Sequence, residues 1–429
     1  MITKPKGTYD LIGNDTFIYD YALETFKGMC ELNNYDFIKT PTFEMSELFH
    51  RGVGETTDIV QKETYDFKDK KGRDMTLRPE GTAGVVRSLI ENKLYANMSG
   101  YLKYYYYGQM FRYERPQSGR FREFNQFGIE VFGEMSPYID AEVINLGVKY
   151  FETLGIDNIK IKINNLSSKS DREKYKTDLI KYMKQYESEL CSDCKARLEK
   201  NPLRVLDCKI DSDKEFFKNA PKISDYTSDE SNAYFKELLE TLDALEIDYE
   251  IDENLVRGLD YYDYAAFEFV TEDKKLSGAS TICAGGRYND LVKSLDGPEL
   301  NGVGFALGYE RLGEILKNLD LVPRASTLDV YVIPVTKNEL SDAFIIGTML
   351  KDAGYKTEID YRNTNLKNKY SKASKMETSY IVTIGEEEIK NYTVKLKDAK
   401  TGDEKTIGIN NLVEELDISF DSVKSFMEN

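Results

Sequence analysis

The chain has 429 residues, 41% of them hydrophobic and 12% aromatic, which is a composition of globular cores and a length sufficient for two or three domains. With 58 basic and 75 acidic side chains the net charge is -17, so a polyanion would have to be met by local basic patches rather than by the overall field. A single histidine, His50, and no tryptophan exclude a His-rich metal site and any serine or cysteine nucleophile system not built on His50 itself.

The first ten residues carry lysines but no apolar run, so no secretory signal is expected there, and no stretch of about 18 apolar residues predicts a membrane span. From Asp15, Ile18, Ala22, Phe26 and Met29 or Cys30 recur at helical spacing, with Asn14-Asp15 as a cap and Asn33-Asn34 as a stop. Tyr65 and Phe67, then Met75 and Leu77, alternate with polar residues around Lys70-Lys71-Gly72 and predict an antiparallel hairpin. The segment Leu77-Arg-Pro-Glu-Gly-Thr-Ala83 breaks into a helix through Val85, Val86, Leu89 and Ile90. Gly108 to Gly133 predicts two long strands around a polar loop at Arg115 to Arg120, with Arg112, Glu123 and Glu130 expected on one face.

From about 167 to 252 the composition turns to Lys, Glu, Asp and Ser around helical stretches such as Tyr175 to Met183, which reads as an insertion. Within it, Cys191-Ser-Asp-Cys194 and Cys208 have zinc-like spacing, but three thiols with no histidine leave the set one ligand short, and no metal is expected. Five cysteines scattered over this length do not make a disulfide framework and fit a reducing cytoplasm. Strand signals return at Ala265 to Val270, at Thr281 to Ala284 and in Gly302-Val-Gly-Phe-Ala-Leu-Gly308, followed by a helix from Glu310. Pro323 to Thr327 reads as a linker. Beyond it, strands at Leu328 to Val335, Tyr355 to Ile359 and Tyr380 to Ile384 alternate with helices at Glu339 to Ala353 and Leu366 to Lys375, the pattern of a small α/β domain.

Neither common phosphate-loop pattern is present, and Gly302/Gly304/Gly308 misses the dinucleotide spacing by one residue. A triphosphate would then be held by guanidiniums and carboxylate-bound Mg2+, with Arg112, Arg120, Arg122, Arg257, Arg287 and Arg311 as candidates.

These segments carry a family resemblance. Gly108 to Glu130 is similar to the second signature motif of class II aminoacyl-tRNA synthetases, and Gly302 to Leu312 to the third. Leu255-Val-Arg-Gly-Leu-Asp-Tyr-Tyr262 and Cys283-Ala-Gly-Gly-Arg-Tyr288 resemble the two histidine motifs of the histidyl-tRNA synthetase family. Lys6 to Asp10, Phe37 to Phe43 with Pro41, and Leu77 to Ala83 also match it. Asn125 stands where relatives often have histidine, and Asp263-Tyr-Ala-Ala266 departs from the usual polar run.

The resemblance implies an α+β catalytic domain on an antiparallel sheet over 1–325, with a helical insertion at about 167–252, and a C-terminal α/β anticodon-binding domain over 326–429. It implies a cytoplasmic homodimer that joins L-histidine to tRNA(His) at the expense of ATP, with phosphate-bound Mg2+ and no protein-held metal. Carried over residue by residue, Glu80, Gly81, Thr82 and Gln126 would hold the substrate α-amino group, while Glu130, Tyr261, Tyr262 and Tyr288 would line the histidine pocket. Arg112 and Arg257 would be catalytic and touch both histidine and the α-phosphate; Arg120, Arg311 and Glu114 would complete the ATP site. Arg115 and Gln117 would approach the acceptor end of the tRNA, and Arg362, Lys367 and Lys369 would form a positive island in the tail. Two rival readings are a non-catalytic paralogue that regulates the first enzyme of histidine synthesis, and a module that senses uncharged tRNA.

Overall fold

In the computed structural model, all residues are described except 55, 56, 58, 117, 118, 158, 201, 207, 209, 212, 257, 258, 260, 272–280, 323–327, 428 and 429, and the side chains of 200 and 420–427. The chain divides into two compact units, 1–322 and 323–429.

Among the described residues, eleven strands belong to the first unit: β1 Asp36–Phe37, β2 Phe43–Met45, β3 Tyr65–Lys68, β4 Asp74–Leu77, β5 Leu102–Phe111, β6 Glu123–Gly133, β7 Ile159–Asn165, β8 Tyr249–Ile251, β9 Asp263–Thr271, β10 Thr281–Arg287 and β11 Asn301–Gly308. Eight of them form one sheet in the order β1-β5-β6-β11-β10-β9-β7-β8, while β2-β4-β3 form a small second sheet that contains the expected hairpin. The six inner strands of the large sheet pair antiparallel, and β1 and β8 join its edges in parallel.

Period-two alternation decides which side chains meet the core and which meet the site. Tyr105 of β5, Phe127, Ile129 and Val131 of β6, Phe267 and Phe269 of β9, and Val303, Phe305 and Leu307 of β11 pack against the covering helices Asn14–Leu32, Pro137–Thr153 and Tyr309–Asn318. Phe26 is fully buried there, stacked on Phe127 at 5.5 Å and edge-on to Tyr150 at 5.4 Å. A buried ring of this kind contributes about 1.5–3 kcal/mol of transfer free energy. Residues of the opposite parity, Gln126 and Glu130 on β6, Glu268 on β9 and Gly304 and Ala306 on β11, line a cleft on the other face. Glu123 has the odd parity and Arg112 lies past the end of β5, so the three charges expected on one face are not there together.

The first helix runs Asn14–Leu32, with Gly13 at φ 62° as its N-cap and no side-chain cap, so Asn14 and Asp15 sit inside it rather than capping it. Its stop is as expected: Asn33 is the C-cap and Asn34 takes φ 61°, the left-handed conformation Asn tolerates.

The polar stretch between β7 and β8 contains two different things. Tyr175, Leu179, Met183, Cys194, Leu198 and Phe216 form a small core of their own. Helix Asp229–Ala244 instead packs Leu238 and Leu242 into the main core, and β8 completes the large sheet.

In the second unit β12 Val330–Pro334, β13 Thr357–Ile359, β14 Tyr380–Ile384, β15 Thr393–Asp398 and β16 Glu404–Gly408 order as β13-β12-β14-β15-β16. The first three pair in parallel and the last two add antiparallel. Val330, Val332, Val382 and Ile384 face helices Leu340–Asp352 and Leu412–Met427, whereas Tyr331, Ile333 and Ile381 face Ala373 of helix Leu366–Lys375. Among the described residues, no helix is long and apolar enough to cross a membrane.

Candidate active site

The cleft of the first unit has a volume of about 750 Å³ and is lined at one end by Glu80, Thr82, Gln126, Glu130, Tyr261 and Tyr262. Glu80 comes from the turn after β4. Its carboxylate accepts the N–H groups of Thr82 at 2.7 Å and Ala83 at 2.9 Å, satisfying the start of helix Thr82–Glu91. Thr82 Oγ1 donates to Glu130 Oε1 at 2.6 Å, and Tyr106 donates to the same oxygen at 3.3 Å. Tyr288 donates its hydroxyl to the other oxygen of Glu130. Enclosed in this way, Glu130 is pushed up to about 8 by burial, with its three hydroxyl donors opposing the shift. Burial raises Glu80 as well.

Glycines make room for this cage. A β-carbon on Gly81 would lie 2.2 Å from the Tyr106 ring, and one on Gly128 would lie 2.4 Å from it. A β-carbon on Gly302 would lie 2.1 Å from the Tyr288 ring.

Among the described residues, the Tyr261 hydroxyl and Gln126 Oε1 are polar atoms in the cleft that are buried without a hydrogen-bond partner. Orphaned polar atoms in a pocket mark where a ligand supplies the missing partner. The Tyr261 ring is fixed between Tyr262, at 4.6 Å, and Tyr288, at 5.5 Å. Tyr262, Tyr288 and Ala266 all belong to the apolar cluster beneath.

The other end of the cleft is cationic. Arg112 donates Nε to the Pro79 carbonyl at 2.8 Å and lies over the Phe124 ring at 5.2 Å. Arg120 pairs with Glu114 at 3.4 Å. Arg311 donates to the Thr281 carbonyl; burial, and then the neighbouring Arg120 charge, hold its guanidinium below the ordinary value. A buried guanidinium held down by a second one beside it makes a ready seat for an anion. Glu310, the residue before Arg311, accepts the Tyr9 hydroxyl at 2.7 Å and the Asn125 N–H at 2.7 Å, and Asn125 Nδ2 donates to Tyr9 at 3.1 Å. Asn125 therefore locks the amino-terminal segment onto β6 and the third motif.

The structure thus brings together Glu80, Thr82, Arg112, Glu114, Arg120, Gln126, Glu130, Tyr261, Tyr262 and Arg311 on one cleft, with Gly81 and Tyr288 behind it. Arg257 and Gln117 lie outside the described residues. Arg115 is exposed on the loop between β5 and β6.

Arg287 and Arg122 lie outside the cleft lining. Arg287 is 1% exposed and holds Asp140 through Nε at 3.0 Å, while Tyr234 donates to the same carboxylate at 2.8 Å. That buried pair ties β10 to two covering helices. Arg122 lies over the Tyr113 ring at 3.9 Å and accepts no place in the cleft lining. His50 is half-buried and outside the cleft.

In the second unit Lys369 does not belong to the positive island: it is 2% exposed and its Nζ donates to the Pro334 carbonyl at 2.7 Å. A run read along the sequence cannot show that one lysine of a helix points under the sheet end. Arg362 grips Asp360 with two bonds, at 2.9 and 2.6 Å, and Lys367 is exposed. Glu268, opposite Arg311 in the cleft lining, was missed by the sequence reading; its even position in β9 was the available signal.

A family model described as Histidyl-tRNA synthetase matches residues 10–312, and one described as Anticodon binding domain matches residues 329–417. The chain is 44% identical over 407 residues to a histidine–tRNA ligase of Bacillus cytotoxicus, covering 94% of this chain and 96% of that protein. It is also 44% identical over 417 residues to one from Staphylococcus haemolyticus, covering 96% and 98%. The apo crystal structure of the S. aureus histidyl-tRNA synthetase superimposes with a TM-score of 0.83 at 36% identity, covering 97% of this chain and 100% of that one. On these matches, the chain belongs to the histidyl-tRNA synthetase family.

Proposed function

We propose that the protein activates L-histidine with ATP, releasing pyrophosphate, and transfers the histidyl group from the adenylate to the 3' end of tRNA(His). The observation that carries this reading is the pair of orphaned buried atoms, Tyr261 hydroxyl and Gln126 Oε1, at the end of the cleft opposite its guanidiniums. A ligand with N–H donors at one end and phosphates at the other would satisfy both ends at once.

Glu80 and Gln126 accept from the substrate ammonium, and Thr82 sits beside them. Glu130 and Tyr261 address the two imidazole nitrogens, with Tyr262 and Tyr288 as walls. A side chain without ring N–H groups leaves these buried atoms unpaired, which is a costly mismatch and the basis of selection.

Arg112, anchored on the Pro79 carbonyl beside Glu80, binds the substrate carboxylate and the α-phosphate. Arg120 and Arg311 hold the outer phosphates, with Glu114 orienting Arg120. Arg257 is assigned to the charge that builds on the α-phosphoryl oxygens. The reaction is in-line displacement by the histidine carboxylate at that phosphorus, so positioning and electrostatic stabilisation are the chain's contribution and no protein nucleophile is required. Glu114 and Glu268, carboxylates on the cleft wall, suit a hard cation, and Mg2+ carried by the phosphates supplies charge neutralisation there.

The second unit would bind the anticodon, with Arg362 and Lys367 on the tRNA side, and Arg115 and Gln117 of the first unit would meet the acceptor end. A homodimer is supported by the apolar side chains of Phe37, Phe43, Met45 and Phe67, which are 42–52% exposed on and beside the β2-β4-β3 sheet. A reducing cytoplasm suits five cysteines that form no disulfide. Charging of tRNA(His) with labelled histidine tests the assignment: histidine-specific, ATP-dependent transfer supports it, and folded protein that transfers nothing refutes it.

A further inference from the structure

The insertion holds a second cluster of chemistry-bearing side chains. Cys191 and Cys194 bracket the start of helix Ser192–Lys200, and Cys208 and Asp211 lie in the turns that follow it. One ligand atom from each of the four lies within 4.8 Å of all the others. Cys194 and Asp211 are wholly buried and Cys208 nearly so.

The spacing within the cluster is informative. Cys191 Sγ and Cys208 Sγ are 3.7 Å apart. Tetrahedral zinc with Zn–S bonds of about 2.3 Å sets its sulfurs about 3.8 Å apart. A disulfide would need about 2.05 Å.

The backbone adds an independent sign. The Cys194 N–H donates to Cys191 Sγ at 3.4 Å, and the Asp211 N–H donates to Cys208 Sγ at 3.3 Å. The two segments therefore repeat one local shape, in which the first sulfur accepts from the backbone three residues on. Such donors stabilise sulfur as thiolate and orient it as a ligand. Asp211 Oδ2 accepts the Cys191 N–H at 2.9 Å, which joins the two loops.

We propose that Cys191, Cys194, Cys208 and Asp211 form a structural site for one Zn2+. Three sulfurs favour zinc over Mg2+ or Ca2+, which want oxygen, and four protein ligands make a closed, non-catalytic site. Binding expels the three thiol protons, and the ion with three thiolates and one carboxylate keeps a net negative charge. Lys214 Nζ, 2.8 Å from Asp211 Oδ1, offsets part of it. Along the sequence the set looked one ligand short because its fourth member is an aspartate seventeen residues past the pair, outside any Cys/His spacing pattern.

The site has a task. Cys208 and Ile210 line the same cleft as Glu130 and Arg112, as do Asp193 and Arg197 of the helix that begins at the first cysteine pair. The ion pins together two loops that otherwise rest on a small core, and so fixes that wall of the cleft.

The test is metal content of the untagged full-length chain, purified without chelator, by elemental mass spectrometry. One zinc per chain is expected, with loss in Cys194→Ser and Cys208→Ser and retention in Asp211→Cys. Cobalt exchanged into the wild type should give the intense near-ultraviolet thiolate-to-cobalt absorption, a readout that needs no variant to fold. Folded wild type that retains no zinc after incubation with Zn2+ and desalting would overturn the proposal. So would a Cys191–Cys208 disulfide in the protein as isolated, or zinc that stays in Cys208→Ser.

Discussion

Gly304 stands directly across from Glu130 in the β6–β11 pair, and a β-carbon built on it would lie 2.3 Å from Glu130 Oε2 and 2.2 Å from the Ile129 carbonyl. The third-motif strand is therefore glycine here because a buried carboxylate occupies the space a side chain would need. Gly304→Ala must displace either the carboxylate or the strand. Overpacking of this kind costs about 1–3 kcal/mol. The melting temperature should fall and KM for histidine in pyrophosphate exchange should rise by more than tenfold; an unchanged KM would separate Glu130 from histidine.

Tyr261→Phe removes a hydroxyl that no protein group satisfies. Stability should hold or rise slightly, because an orphaned buried polar atom is lost. If that hydroxyl meets the imidazole, KM for histidine should rise about tenfold, the loss of roughly one hydrogen bond of about 1.4 kcal/mol. Thermal melting and exchange kinetics on the same sample separate the two effects.

Glu130 gives a pH signature. Its pKa is pushed up to about 8 from the ordinary glutamate value of 4.5, so the folded chain keeps a proton that the unfolded chain releases. Stability from this group is complete below the lower value and is lost as pH rises through the upper one. Denaturant midpoints of the wild type should decline across that window relative to Glu130→Gln, which cannot ionise, and parallel curves would show that Glu130 does not titrate there.

Asp140→Ala leaves the Arg287 guanidinium buried and unpaired, which costs about 3–5 kcal/mol. The variant should unfold at much lower denaturant, whereas surviving folded protein should retain its KM for ATP. A selective loss of ATP affinity would restore Arg287 to the phosphate site.

Lys367→Ala and Lys369→Ala should part company. The first removes an exposed charge and should weaken tRNA binding while flattening its salt dependence. The second breaks the buried bond to Pro334 and should lower the stability of the tail by about 1–3 kcal/mol. Equal effects on tRNA binding would contradict the buried placement of Lys369.

Much of this architecture was legible along the chain because its signals are local. Period two in β3 and β4, the break at Glu80-Gly81-Thr82 and the β/α alternation of the tail all concern neighbours in sequence. The antiparallel pair β15–β16 and helix Leu412–Met427 were not recognised, although Val394 and Leu396 alternate with lysines and Leu412 and Leu416 recur at helical spacing. Arg287 looked like a phosphate ligand beside Gly285 and Gly286, but its partner, Asp140, is 147 residues away, and no spacing rule reports such a pair. Lys369 misled for the opposite reason: Lys367 and Lys375 of the same helix are exposed, and it turns inward with Ala373. The orphaned atoms of Gln126 and Tyr261 exist only once the sheet has closed around them.

The cleft's central task in this mechanism is to join histidine to the α-phosphate of ATP. Exchange of labelled pyrophosphate into ATP, measured on the full-length chain with each of the twenty amino acids in turn, tests that directly. Histidine alone should drive exchange, and Arg257→Ala should reduce its rate far more than its KM values. Folded protein that binds histidine yet exchanges no pyrophosphate, or that exchanges equally well with another amino acid, would contradict it.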